Sequence, residues 1–100
     1  MWFITVFENI EPDERFLAKF GLQRTWGYYK DHNTAVQALY ENWTDMWEFC
    51  YDYALIEQFD EGIFPYCQER QWFKYDRERN GYFEIDEPEC VKKIVNFALG

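Results

Sequence analysis

Few side chains in this sequence belong to the types that catalyse reactions. His32 is the only histidine, and it lies among polar residues that are typical of a helix start. The three cysteines form no CxxC pair, so neither a zinc ribbon nor a thioredoxin-type motif is indicated. The sequence also has no GxSxG, P-loop or GxGxxG motif. These features disfavour an enzyme, and we expect no catalytic residues, no metal and no cofactor.

Four carboxylates in the middle of the chain recur at helical spacing. A helix that ran past Trp43 would place them on one face, with large aromatic rings beside them. Like charges at this spacing repel each other, so selection for helix stability alone would have broken the row with a lysine. The pattern predicts a partner-binding surface that consists of Glu41, Trp43, Asp45, Trp47, Glu48, Tyr51 and Asp52.

Three interpretations of this row stay open. The first is a solvated helix face beside a stripe of core residues. The second is a docking surface for a basic partner, with the rings as anchors and the carboxylates imitating the spacing of phosphates. The third is a site for a divalent metal or for carboxylate catalysis. The third ranks last, because the sequence lacks the DxDxDG pattern of a calcium loop.

The net charge of −9 comes from a single block of the chain. Residues 31–69 hold nine acidic residues and no Lys or Arg, whereas acids and bases balance on either side. So acidic a chain repels phosphate, which disfavours direct binding of nucleic acid. It attracts basic surfaces, such as the Lys/Arg-lined groove of a nucleic-acid-handling protein. The simpler alternative is that the acidity keeps an aromatic-rich protein soluble.

Aromatic residues are more numerous than one small core requires. Phe, Tyr and Trp make up 23% of the chain. Each ring system buries ~150–250 Å² when enclosed, and a domain of this size hides only part of its surface. Some rings therefore lie at the surface, where Tyr and Trp are typical of interfaces.

The length and composition indicate one soluble domain over residues 1–100. Apolar residues make up 48% of the chain, which excludes a disordered tail. No apolar run is long enough to span a membrane, and the first residues lack the basic region of a signal peptide. An odd number of cysteines suggests reduced thiols. We expect a cytoplasmic protein.

Local patterns predict the elements of the first two thirds of the chain. Residues 1–8, 24–29 and 53–59 are rich in β-branched and aromatic types and predict strands. Residues 9–21 predict a loop with one helical turn around residues 16–20. Apolar spacing predicts a main helix over residues 33–43, and an extension to about residue 51 stays open. Asp31 or Asn33 can cap this helix, and Thr34 with Gln37 matches a capping box.

The clearest turn signal is DRERNG, which lies between predicted strands over residues 71–75 and 82–85. It predicts a hairpin in which Gly81 takes a positive φ. Pro88 predicts the entrance of a short C-terminal helix through about Ile94, followed by a last strand over residues 96–99. The fold class is α+β, with a mostly antiparallel sheet of about four to five strands and one main helix.

Several short sequence segments, spread along nearly the whole chain, resemble those of a known protein family. They are WFITVFE, RTWGYY, ENWTDMWE, YDYALIEQ, EGIFP, WFKYDRERNGYF and NFALG. Together they resemble a family of short acidic proteins of uncharacterised function found in phages and mobile elements of Gram-positive bacteria. The resemblance implies a phage or mobile-element setting, in which small acidic proteins often inhibit host enzymes, some of them as nucleic-acid mimics. It assigns no functional residue.

The function expected from these patterns is that of a non-enzymatic acidic binding protein. It would dock on the basic surface of a nucleic-acid-handling protein, such as a nuclease, as an inhibitor or nucleic-acid mimic. One alternative is a small ligand-binding or enzymatic domain with an aromatic, carboxylate-lined pocket. Another is a structural component that self-associates as a homo-oligomer through exposed rings.

Overall fold

The fold is built on a five-stranded antiparallel sheet with both faces covered. The computed structural model describes residues 1–12, 18–43, 51–62 and 66–98. The strand order is β4-β1-β5-β6-β7, and β2 and β3 form a separate two-stranded sheet. In chain order the elements are β1 (Trp2–Phe7), β2 (Ile10–Pro12), β3 (Ala18–Phe20), β4 (Gln23–Tyr29), α1 (His32–Tyr40), β5 (Tyr53–Phe59), β6 (Cys67–Asp76), β7 (Gly81–Ile85) and a 3₁₀ turn (Glu89–Val91). The predicted α+β class is confirmed.

One face of the sheet packs against α1. Alternate residues of a strand point to the same face, so β1 and β5 present small and branched apolar side chains to the helix. The buried residues of this layer are Ile4, Val6, Ala35, Ala38, Leu39, Tyr51, Ala54, Ile56, Phe73 and Tyr82.

The opposite face packs against the two-stranded sheet and the C-terminal segment, which we define as residues 86–98. Phe97 of this segment lies edge-on to three rings, those of Phe7 at 5.2 Å, Phe20 at 5.6 Å and Trp72 at 5.6 Å between centroids. Val91 is fully buried in the same layer. Because the sheet is covered on both faces, β1 and β5 are almost continuously apolar.

The main helix is shorter than the sequence predicts at its C-terminal end. Asp31 is the N-cap and accepts a hydrogen bond from the Thr34 backbone N–H at 3.0 Å, so the predicted Thr34–Gln37 capping box does not begin the helix. The helix ends at Tyr40, because Asn42 adopts the left-handed conformation at φ 52°. A continuous helix through Trp43 to residue 51 is therefore wrong.

The hairpin between β6 and β7 confirms the turn prediction, with one correction. Asn80 has φ 56° and takes the left-handed position, whereas Gly81 begins β7. An asparagine tolerates this conformation because its short polar side chain bonds locally, and here Asn80 Oδ1 accepts from the Tyr75 hydroxyl at 2.7 Å.

Two other predictions are corrected. Ala18–Phe20 is strand β3, paired with β2, rather than part of a helical turn. At the other end, only the 3₁₀ turn Glu89–Val91 replaces the predicted C-terminal helix, and residues 96–98 form no strand. The backbone of the C-terminal segment bonds to the side chains of Glu57 and Arg70, which are distant in sequence and which local patterns do not reveal. In the part of the chain that the structure describes, no helix has the length and apolar character needed to cross a membrane.

Candidate docking surface

Trp43 is held at the surface by the way in which α1 ends. The Trp43 backbone N–H donates to the Ala38 carbonyl at 3.1 Å, and the Asn42 N–H donates to the Leu39 carbonyl at 3.3 Å. These two bonds form a Schellman motif, which requires the left-handed conformation of Asn42. The position of Trp43 is therefore fixed by the backbone, although its side chain is 50% exposed.

Two neighbouring side chains also hold the indole ring. The Trp43 Nε1–H donates to the Glu41 carboxylate at 3.1 Å. The ring of Tyr29, at the end of β4, meets the indole in an edge-on contact with 6.1 Å between centroids. We call Tyr29, Glu41 and Trp43 the docking surface. The sequence pattern identified Glu41 and Trp43 but missed Tyr29, which reaches them only through the packing of β4.

The docking surface suits a positively charged group. The faces of Trp and Tyr rings attract cations, most strongly arginine and lysine side chains. Glu41 adds a carboxylate beside the rings, and it follows the C-terminal end of α1, where the helix dipole is negative. An exposed guanidinium could stack on the indole and pair with this carboxylate.

Of the other predicted site residues, only Tyr51 and Asp52 are described by the structure, and neither lies at this surface. Asp45, Trp47 and Glu48 lie outside the described residues. Tyr51 is only 2% exposed, and its ring lies edge-on to Trp26 in the core. Its carbonyl accepts from the buried Tyr82 hydroxyl at 2.8 Å. Tyr51 therefore belongs to the layer beneath α1.

Asp52 is engaged elsewhere. Its carboxylate lies 3.5 Å from the Arg77 guanidinium, and its carbonyl accepts from the Tyr75 N–H at 2.8 Å. Both partners belong to the β6–β7 hairpin. Asp52 thus helps to hold the chain before β5 against that hairpin.

The described residues of the acidic block are spread over the molecule. Asp31 and Glu41 flank opposite ends of α1, about 15 Å apart at 1.5 Å per residue. Asp52 and Asp60 flank opposite ends of β5, about 26 Å apart at 3.3 Å per residue. Glu57 is fully buried. The described members of the block therefore do not form one continuous acidic face.

The histidine belongs to a polar network on the helix side of the sheet. His32 Nε2 lies 2.9 Å from Gln71 Oε1, and the Gln71 amide donates to the Glu84 carboxylate. The imidazole also packs on the Trp2 ring, with 4.4 Å between centroids. An amide neither gains nor loses a proton near neutral pH, so Gln71 links His32 to Glu84 structurally and does not relay protons.

The described cysteines and carboxylates do not gather into a reactive centre. Burial and the Glu57 charge raise the pKa of the Cys67 thiol to about 11, so it is not a thiolate at neutral pH. Among residues 1–12, 18–43, 51–62 and 66–98, no group of three or more His, Cys, Asp or Glu side chains is arranged to hold a metal ion. Two open clefts of about 490 and 610 Å³ flank β7.

The fold and the docking surface define a small α+β domain that exposes a fixed tryptophan beside a carboxylate. No family model, curated protein or solved structure matches the chain.

Proposed function

We propose that this chain is a non-enzymatic binding protein that docks on a basic surface of another protein through Tyr29, Glu41 and Trp43. The observation that supports the proposal most is the fixed, half-exposed Trp43 whose indole N–H is bonded to Glu41. The restraint holds the indole in one orientation in the free protein, which favours its use as a binding anchor.

The advantage of a fixed anchor is entropic. Immobilising a flexible side chain on binding costs about 0.5–1.5 kcal/mol, and the Schellman motif and Tyr29 meet part of this cost in the free protein. Tryptophan, tyrosine and arginine dominate the hot spots of protein interfaces. A cation placed on an indole contributes about 0.5–2 kcal/mol, depending on how far it is desolvated.

The class of partner follows from charge. The chain carries a net charge of −9, which speeds the approach of a basic protein and repels nucleic acid. Proteins that handle nucleic acids have the most extensive basic grooves, so we propose a nuclease or a similar enzyme as the target and inhibition as the outcome. The resemblance of the sequence to phage and mobile-element proteins is consistent with a role against such host enzymes.

A pull-down with matched variants tests this proposal. The native chain is incubated with nuclease-treated bacterial lysate, and retained proteins are identified by mass spectrometry. Glu41→Gln removes the charge but keeps an oxygen that can accept from the indole N–H, so it isolates the electrostatic contribution. Trp43→Ala removes the anchor. We expect both variants to lose a basic protein that the native chain retains.

Two further variants serve as controls. Glu61→Gln removes one exposed carboxylate at the far end of β5, and Tyr66→Ala removes a ring that is 70% exposed. Both are expected to retain the basic protein. If Trp43→Ala and Glu41→Gln retained the basic protein as well as the native chain does, the proposal that the docking surface binds it would be rejected.

A further inference from the structure

The docking surface offers a cation two features, an exposed indole and a free carboxylate oxygen. Trp43 is 50% exposed, so part of its ring surface is open to solvent. The Oε2 atom of Glu41 accepts from the indole N–H at 3.1 Å. Within the described residues, the Oε1 atom of the same carboxylate has no hydrogen-bond partner, so it is available to a group that lies on the indole.

The hydrogen bond between the two side chains determines where the negative charge lies relative to the ring. An indole N–H points outward in the plane of the ring, and hydrogen bonds favour an acceptor close to the N–H direction. The Glu41 carboxylate therefore lies beside the edge of the indole and does not cover its face. A flat cation that stacks on this face can direct an N–H group towards the carboxylate at the edge.

Arginine and lysine side chains differ in how well they fit such a site. The guanidinium of arginine is planar, stacks on aromatic faces and is weakly hydrated, whereas the ammonium of lysine is a compact and strongly hydrated charge. A lysine that contacts the indole must give up water, and a half-exposed site with one free carboxylate oxygen replaces little of it. A guanidinium loses little water from its faces, and its N–H groups keep their partners at its edges.

We propose that the docking surface selects arginine over lysine, with one guanidinium stacked on Trp43 and donating to Glu41 Oε1. This inference rests on the proposed function, because it specifies which basic side chain of the partner the same site recognises. The Tyr29 ring, in edge-on contact at 6.1 Å, helps to hold the indole in position. In this arrangement the indole determines the preference for arginine, and the carboxylate attracts either cation.

NMR titration of the whole chain with two hexapeptides tests the proposal. One peptide alternates glycine with arginine, and the other alternates glycine with lysine. Both carry the same charge, so the net charge of −9 attracts them equally. The shift of the Trp43 indole N–H resonance gives the dissociation constant of each peptide. We expect the arginine peptide to bind about three- to tenfold more tightly than the lysine peptide.

Two variants separate the contributions of the ring and the carboxylate. Trp43→Leu removes the aromatic face, and the Glu41 backbone amide then reports binding. We expect this variant to bind both peptides weakly and with similar affinity. Glu41→Gln should weaken both peptides by a similar factor and preserve the preference for arginine. Glu61→Gln removes one exposed carboxylate at the far end of β5 and is the matched control, which should bind both peptides like the native chain.

The outcomes distinguish this inference from the proposed function. Equal affinities of the native chain for the two peptides, with a saturable shift at Trp43, would overturn the preference for arginine and leave the proposed function standing. Binding of neither peptide at Trp43 would reject both. A preference for arginine that persists in a folded Trp43→Leu variant would also overturn the inference, because the indole would not be its source. The comparison on the native chain does not depend on any variant folding.

Discussion

The Glu57 carboxylate, on the central strand β5, accepts a hydrogen bond from the Phe97 backbone N–H at 2.9 Å. Its second oxygen accepts from the Ala98 N–H at 3.0 Å. Glu57 is fully buried, and burial raises the pKa of its carboxyl group above its usual range. One acidic residue of the central block therefore fastens the C-terminal segment to the sheet and is unavailable to a partner.

Replacing Glu57 with glutamine should destabilise the fold. The amide can accept one of the two backbone N–H groups, but its NH₂ faces the other donor, which is left unsatisfied. Such a loss costs about 1–3 kcal/mol. Urea unfolding measures the difference, and exposed Glu61→Gln is the control, with a change within about 0.5 kcal/mol. An unchanged stability of Glu57→Gln would mean that Glu57 does not hold the C-terminal segment.

The effect of Glu57 on stability should depend on pH. Because its folded-state pKa is raised, the stability that Glu57 contributes is fully present below its unfolded pKa and is lost as pH rises through the folded pKa. The difference in unfolding free energy between the native chain and Glu57→Gln should therefore be largest in acid and shrink on going to neutral pH. A difference that grew with pH would contradict the raised pKa.

The conformation of the C-terminal segment could not be predicted because it depends on contacts with side chains that are distant in sequence. Glu57 bonds to the backbone of Phe97, and Arg70 donates to the carbonyls of Ile94 at 2.6 Å and Val91 at 3.3 Å. The sequence EPECVKKIV has helical character locally, but side chains from β5 and β6 bind its backbone instead. Helix propensity is a local property, so it does not reflect hydrogen-bond partners that are distant in sequence.

Phe97 should be one of the most sensitive positions in the chain. It is 8% exposed and contacts three aromatic rings, so Phe97→Ala leaves a cavity between the sheet and the C-terminal segment. The expected cost is about 3–5 kcal/mol. Val95→Ala, two residues earlier and 56% exposed, should change stability by less than about 0.5 kcal/mol. Thermal or urea unfolding of the two variants compares them directly, and equal effects would contradict this packing.

Asn42 provides a test of how Trp43 is positioned. Left-handed backbone costs a residue with a Cβ about 1–2 kcal/mol, and the cost is highest for β-branched types. Asn42→Val should therefore weaken the end of α1 and the capture of a basic partner, whereas Asn42→Gly should preserve both. Urea unfolding and the pull-down measure the two effects. Normal partner capture by a folded Asn42→Val variant would show that the Schellman motif is not needed for docking.

The strands were the most predictable part of the fold. β1, β4, β5 and the β6–β7 hairpin are marked by β-branched and aromatic runs and by the Asn80-Gly81 turn, which are local signals. The end of α1 was not predictable, because helical spacing of acids and rings continues past Asn42, where the backbone reverses. The same spacing identified Glu41 and Trp43 but assigned Tyr51 to the surface.

The proposed docking surface is tested most directly by following the Trp43 indole N–H resonance by NMR during titration with an arginine-rich peptide. The same peptide with glutamine in place of arginine is the control. We predict a saturable shift of the Trp43 indole resonance and of the Glu41 amide with the first peptide, and neither with the second. Shifts confined to other residues, or equal shifts with both peptides, would contradict recognition of a cationic side chain by Trp43 and Glu41.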